Sequence, residues 1–214
     1  MTLRLSMAVL GFIAFQAHGL AGLSHPATIT YLDGTEKQVA IEFPLASNSK
    51  TITVTITKGK KEKVESELLA SIDFQSPTGK VHHLARIFVV TYDKKHKETY
   101  SSVNKAWAYR LRSNPKMEYY TIGSEYRIRK KEQDMEVISE GSLGQVMHCF
   151  MRPGEEGATA VHSSTGGGVL VGSDKYFLKT LVLYFSDNPT LASSIEKGEF
   201  RKESLLAVYS AYCN

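Results

Sequence analysis

The chain has 214 residues, with 26 Lys and Arg against 22 Asp and Glu, seven His, two Cys and a hydrophobic fraction of 42%. That composition excludes a disordered chain, a repeat array and a polytopic membrane protein, and the length suits one domain with a core of its own. A formal net charge of +4 is too mild to demand a polyanionic partner.

The first residues carry an address. Arg4 is the only charged residue before Asp33, and the apolar run Met7 to Phe15 follows it. Small residues then close the segment at Ala17, Gly19, Ala21 and Gly22. A basic start, a short apolar run and a small-residue exit make a secretory signal peptide, expected over residues 1–21 with cleavage after Gly19 or Ala21. A membrane-spanning helix needs about 20 apolar residues, more than this run supplies. No Cys follows the leader, so a lipid anchor of the bacterial kind is not expected. Residues 22–214 then form one β-rich domain with a helical tail from about 174. Its mature form lacks any transmembrane helix, and it works in the periplasm, against the outer membrane or outside the cell. Such compartments are oxidising. A bridge between Cys149 and Cys213 would pin the C-terminus to the sheet, and two lone thiols are the alternative.

In chain order, Thr28 to Leu32 alternates in polarity, Asp33-Gly34 turns, and Val39 to Phe43 returns. Thr51 to Thr57 has strict period two, with Ile52, Val54 and Ile56 on one face and threonines on the other. Lys58-Gly59-Lys60 turns this strand, and Ile72 and Phe74 mark the next one before Ser76-Pro77-Thr78-Gly79. Val81 to Tyr92 is a long β run, apolar on both faces from Ile87 to Val90 and therefore central. Lys94 to Glu98 reads as a solvated turn. Trp107, Tyr109 and Leu111 alternate, and Tyr119 to Ile122, Tyr126 to Arg129 and Leu143 to Met151 are further strands. Pro153 to Gly157 is a loop, and Gly166-Gly167-Gly168 breaks the run Val161 to Val171.

The last forty residues change period. Lys175 to Phe185 predicts a core-packed helix, with a strand over Thr180 to Phe185 as the alternative. Asp187-Asn188-Pro189 predicts a capped helix start, Gly198 a stop, and Leu205, Val208, Tyr209 and Tyr212 a final amphipathic helix. Strands followed by helices give an α+β fold: a mostly antiparallel sheet (a meander, roll or partly open barrel) with a C-terminal helical segment.

One stretch carries a family likeness. Lys175-Tyr176-Phe177-Leu178-Lys179, then Tyr184-Phe185-Ser186-Asp187-Asn188-Pro189-Thr190-Leu191, then Ile195 to Gly198, Leu205 and the ending Tyr212-Cys213-Asn214 resembles the tail of a set of small secreted proteins of Bacteroidetes-type bacteria. Asp33-Gly34-Thr35 is similar to the turn near the start of those proteins. The chain departs from the pattern at Cys213, which interrupts a tyrosine-asparagine ending, and at Asn188, where that family often has cysteine. The resemblance implies export, a β-rich domain with a helical tail, and an envelope setting. That family has no assigned activity, so no catalytic residue transfers from it.

Candidate chemistry is sparse. Gly167 and Gly172 match the glycine frame of a phosphate loop, but Ser173 and Asp174 stand where Lys and Ser or Thr are needed. His82 and His83 are adjacent, as are His148 and Cys149, so on strands they face opposite ways and do not share an ion. No paired CxxC, HExxH or Gly-x-Ser-x-Gly is present, so no cofactor or metal is called for. His148, His162 and Ser163 are the catalytic candidates for a hydrolase of envelope polymers. Two basic clusters, Lys58, Lys60, Lys61 and Lys63, and Arg127, Arg129, Lys130 and Lys131, lie on turns and hairpin ends, the second with Tyr119, Tyr120 and Tyr126 near it. Glu62, Glu132 and Asp134 dilute them, which sets nucleic acid aside and leaves an anionic envelope surface as a partner. The leading reading is a non-catalytic binding or structural module of the bacterial cell envelope, its partner an envelope protein or that surface. The alternatives are the hydrolase and a carrier of a small apolar ligand, with a closed cavity lined by Trp107 and tyrosines.

Overall fold

The computed structural model describes residues 24–56, 59–76, 78–93, 98–129, 134–139, 145–165, 170–171 and 174–214. The expected leader, Lys58, Lys130, Lys131 and the glycines Gly167 and Gly172 lie outside them.

The Asp33-Gly34 turn joins β1 (Ser24–Tyr31) to β2 (Glu36–Glu42). There the Thr35 N–H donates to Asp33 Oδ1 at 2.8 Å, and Gly34 takes φ +83°, which a side chain would resist. The short β3 (Leu45–Ala46) precedes β4 (Thr51–Thr55), whose Ile52 and Val54 are buried as period two requires. Next come β5 (Lys61–Glu65), β6 (Leu69–Gln75), β7 (Val81–Asp93), β8 (Glu98–Ser101), β9 (Ala106–Asn114) and β10 (Met117–Ile122). After them follow β11 (Glu125–Ile128), β12 (Met135–Ile138), β13 (Gln145–Met151), β14 (Gly157–Thr165) and β15 (Leu170–Val171). Three helices end the chain: α1 (Asp174–Tyr184), α2 (Pro189–Glu196) and α3 (Leu205–Cys213). The architecture is α+β, as expected.

The main sheet runs β15-β14-β13-β10-β9-β7-β6-β1-β2-β4-β5, with β8 on β7. Its neighbours are antiparallel except for one pairing. The start of β14 runs parallel to β7, with Gly157 opposite Phe88 and Thr159 opposite Val90. That pairing closes β7, β9, β10, β13 and β14 into a ring and leaves β6, β1, β2, β4 and β5 as an open wing. A second sheet, β12-β11-β3, covers the wing.

Three buried clusters follow from this layout. The sandwich core lies between wing and second sheet and holds Ile29, Ile41, Val54, Ile72, Phe74, Trp107 and Tyr126. The ring interior takes alternate residues from all five strands, including Ala85, Ala108, Ala158, Ala160, Tyr120 and Cys149. Four alanines suit the narrow bore of so few strands. The outer face of the ring carries Met117, Tyr119, Phe150 and Val161, and the three helices pack there through Phe177, Leu181, Phe185, Ile195 and Val208.

The sequence reading places no strand at β5 or β12. β5 reads Lys-Glu-Lys-Val-Glu and buries only Val64, because it is the edge of the wing and pairs with β4 alone. Charges on an edge strand discourage further pairing.

Candidate functional site

His148 and His162 are neighbours across β13 and β14, with ring centroids 6.0 Å apart and planes 18° from parallel. His162 lies under α1, whose Phe177 ring meets it edge-on at 5.5 Å. His148 Nδ1 is hydrogen-bonded to the Tyr119 hydroxyl at 2.8 Å. Burial, and then the neighbouring His162, push His148 down to about 4, so it is neutral at pH 7.

A bulge sets this geometry. The register slips at His148 and Cys149, so that Ala160 and His162 oppose consecutive residues of β13. Val161 and His162 are adjacent in sequence, yet both reach the helical side. Ser163 pairs with Met147, which packs against the ring interior. Its hydroxyl is therefore on the opposite face of the sheet from the imidazoles, and the three candidates do not form a nucleophile-base pair. His162 is also roofed, only 6% exposed, while His148 is half-buried.

The cysteines separate in the same way. Cys149 points into the ring interior, while Cys213 packs at the margin of the helical cluster on the other face. Both are free thiols, so the considered bridge is not formed. Burial pushes the Cys149 thiol up to about 12. Among the described residues no group of three or more His, Cys, Asp or Glu is placed to hold a metal ion. His82 and His83 take opposite faces, as expected: His82 meets Tyr109 at 3.0 Å and His83 meets Asp73 at 2.7 Å.

Carboxylates partner several of the basic side chains. Lys61 reaches Glu42 at 2.6 Å, Arg127 meets Glu125, and Arg129 lies 3.8 Å from Glu136. Lys60 and Lys63 are exposed at the β4–β5 hairpin. Tyr120 faces the ring interior and donates to Glu118, and Tyr126 donates to the Trp107 carbonyl at 2.6 Å, so neither forms an aromatic surface beside Arg127. Trp107 is fully buried and donates to Ser66 Oγ at 3.2 Å. It fills the sandwich core rather than lining a cavity.

The structure adds two features. One is a polar latch on Arg152, which follows β13. Its guanidinium lies over the Tyr184 and Tyr212 rings and donates to the Tyr184 carbonyl and, at 2.8 Å, to Asp187 Oδ1. Tyr212 donates to Asp187 Oδ2 at 2.8 Å, and Asn188 Oδ1 accepts from the Leu191 N–H as the cap of α2. The Tyr184–Leu191 block is thus built for packing. The other is an open, largely apolar groove of about 490 Å³ between β7 and the helices, lined by Tyr92, Leu178, Lys179, Val182, Leu183 and Glu196. Leu183 is half exposed there, and only its departure from a strict helical stripe signals this in the sequence.

Searches of protein-family models, curated proteins and solved structures give no match for this chain. No helix among the described residues is long and apolar enough to cross a membrane.

Proposed function

We propose that this chain is an exported, non-catalytic binding module of the bacterial cell envelope, of the kind its Lys175–Asn214 block resembles in secreted proteins of Bacteroidetes-type bacteria. The observation that carries the reading is the dispersal of the catalytic candidates: two stacked imidazoles, His162 roofed by α1, on one face of the sheet and the Ser163 hydroxyl on the other. The leader-like N-terminus supports export. The carboxylate partners of Lys61, Arg127 and Arg129 favour a protein partner over an anionic surface.

The test joins two measurements in intact cells. Mass spectrometry of the purified chain is expected to find a mature N-terminus at residue 20 or 22, and cross-linking is expected to recover envelope proteins. An unprocessed chain with cytoplasmic partners overturns the reading.

The groove favours a second reading, carriage of a small apolar ligand. Titration with an apolar fluorescent dye such as 1-anilinonaphthalene-8-sulfonate tests it. Saturable binding that Leu183→Lys removes supports carriage, and binding untouched by that change rejects it.

A further inference from the structure

At the end of the sandwich where β1 begins, rings from four strands and one loop pack in a row: Phe43, His25, Phe74, His82 and Tyr109. His25 meets Phe43 at 5.7 Å and Phe74 at 6.3 Å, and His82 stacks on Phe74 at 5.0 Å with planes 19° apart. Both histidines are buried, at 3% and 1% exposure. His25 Nε2 is enclosed with no hydrogen-bond partner. His82 uses Nδ1 on the Tyr109 hydroxyl, and its Nε2 lies 3.6 Å from Asp134 Oδ1, just before β12.

Among the described residues, the charged and titratable groups facing this stack are few. His25 comes from β1, Lys80 from the β6–β7 turn, Tyr109 and, farther off, Arg112 from β9, and Asp134 from the β11–β12 connection. Asp134 is already engaged: Lys80 Nζ donates to its two oxygens at 2.9 and 3.1 Å, and the Met135 N–H donates to Oδ1 at 2.8 Å. His83 turns away to Asp73 on the other face.

We propose that this stack is an acid-operated latch: neutral His25 and His82 hold the start of β1 and the edge strand β12 on the sandwich, and their protonation releases both. A proton on His25 Nε2 has no acceptor in its enclosure. A proton on His82 sets a second cation beside Lys80, with one carboxylate between them, and a charged His25 adds a third. Burial disfavours each charge, and hydration on opening relieves it. The elements that carry the latch are also held by few strand pairings. Pairing of β1 with β6 begins only at Ala27, so Ser24 to Pro26 are held from the β2 side alone. β12 is an edge strand joined to β11 over four residues. This inference does not depend on the exported-module reading.

Hydrogen exchange read by mass spectrometry on the full chain tests it, at pH 7.5 and 5.0, with rates divided by the unstructured-peptide rate at each pH. Protection over 24–26 and 134–139 is expected to fall by up to about thirtyfold for each histidine, the limit set by the distance from pH 5.0 to the ordinary histidine value of about 6.5, while β7 and β9 keep theirs. The double variant His25→Phe/His82→Phe is expected to keep its protection at pH 5.0. Equal protection of the wild type at both pH values, or a loss spread evenly into β7 and β9, overturns the latch. If the double variant does not fold, an NMR titration of the wild type decides. The His82 ring and the amides of residues 134–138 must then share one midpoint, and titration of the ring with those amides unmoved overturns the proposal.

Discussion

The Arg152 guanidinium carbon lies 4.3 Å from the centroid of the Tyr184 ring, so the end of β13 is clamped to the last turn of α1. The same guanidinium lies 5.0 Å from the Tyr212 ring of α3 and hydrogen-bonds Asp187 between α1 and α2. One side chain therefore ties the sheet to α1, to the α1–α2 connection and to α3. Arg152→Lys keeps the charge but loses the planar fork, and it is expected to destabilise the fold by about 1–3 kcal/mol. Urea unfolding checks this. A change below about 0.5 kcal/mol, the range of an ordinary surface substitution, would show the clamp to be idle.

His148 makes stability depend on pH. Its folded value of about 4 lies below the ordinary histidine value of 6.5. Above 6.5 both folded and unfolded states are neutral there and the group has no effect. As pH falls from 6.5 to about 4 the unfolded chain takes up the proton first, and roughly 3 kcal/mol of stability is lost. His148→Phe is expected to flatten this part of the pH profile in urea midpoints, whatever its own cost at pH 7. An unchanged slope between pH 6.5 and 4 in that variant refutes the assignment.

Closure of the ring depends on Gly157. A Cβ there would come within 2.8 Å of the Phe88 carbonyl oxygen and 3.0 Å of Phe88 Cβ. Gly157→Ala is expected to cost about 1–3 kcal/mol by forcing β14 away from β7. Thermal denaturation gives the number, and a Tm equal to wild type would mean that the strands are not so close.

The two thiols should differ in reactivity. In the native chain an aromatic disulfide reagent is expected to titrate one thiol, Cys213, and in denaturant two. Rapid native reaction of Cys149 contradicts its full burial in the ring. No free thiol in denaturant would mean that the two are bridged.

Trp107 is the sole tryptophan and is fully buried. Its emission is expected to be blue-shifted and barely quenched by acrylamide, and to move red in one step with unfolding of the sandwich. Strong native quenching would place it in a solvent-filled cavity and reopen the carrier reading at that position.

Much of the architecture is legible because its signals are local. The alternation of Ile52 and Val54 marks β4, Asp33-Gly34 marks the β1–β2 hairpin, and Asn188-Pro189 marks the start of α2, where Asn188 does cap Leu191. β5 and β12 give no such signal, since edge strands bury little and their residues answer to solvent as much as to a core. The Tyr184–Leu191 block is legible as a motif but not as a mechanism. Its partner Arg152 lies 32 residues before Tyr184, and nothing near Arg152 in the chain announces the contact.

By itself, then, the sequence determines that strands come first and helices last, the absence of a recognisable catalytic motif, and which residues alternate on the core strands. Local backbone preference and polarity act over a few residues, so a single chain displays them. The tertiary structure alone decides which faces meet. A parallel pairing of Gly157 with Phe88 closes the ring, and one bulge turns His162 toward Phe177 while leaving Ser163 on the inner side. Register and bulges are settled by burial summed over distant strands, and a slip of one residue exchanges the two faces of a sheet.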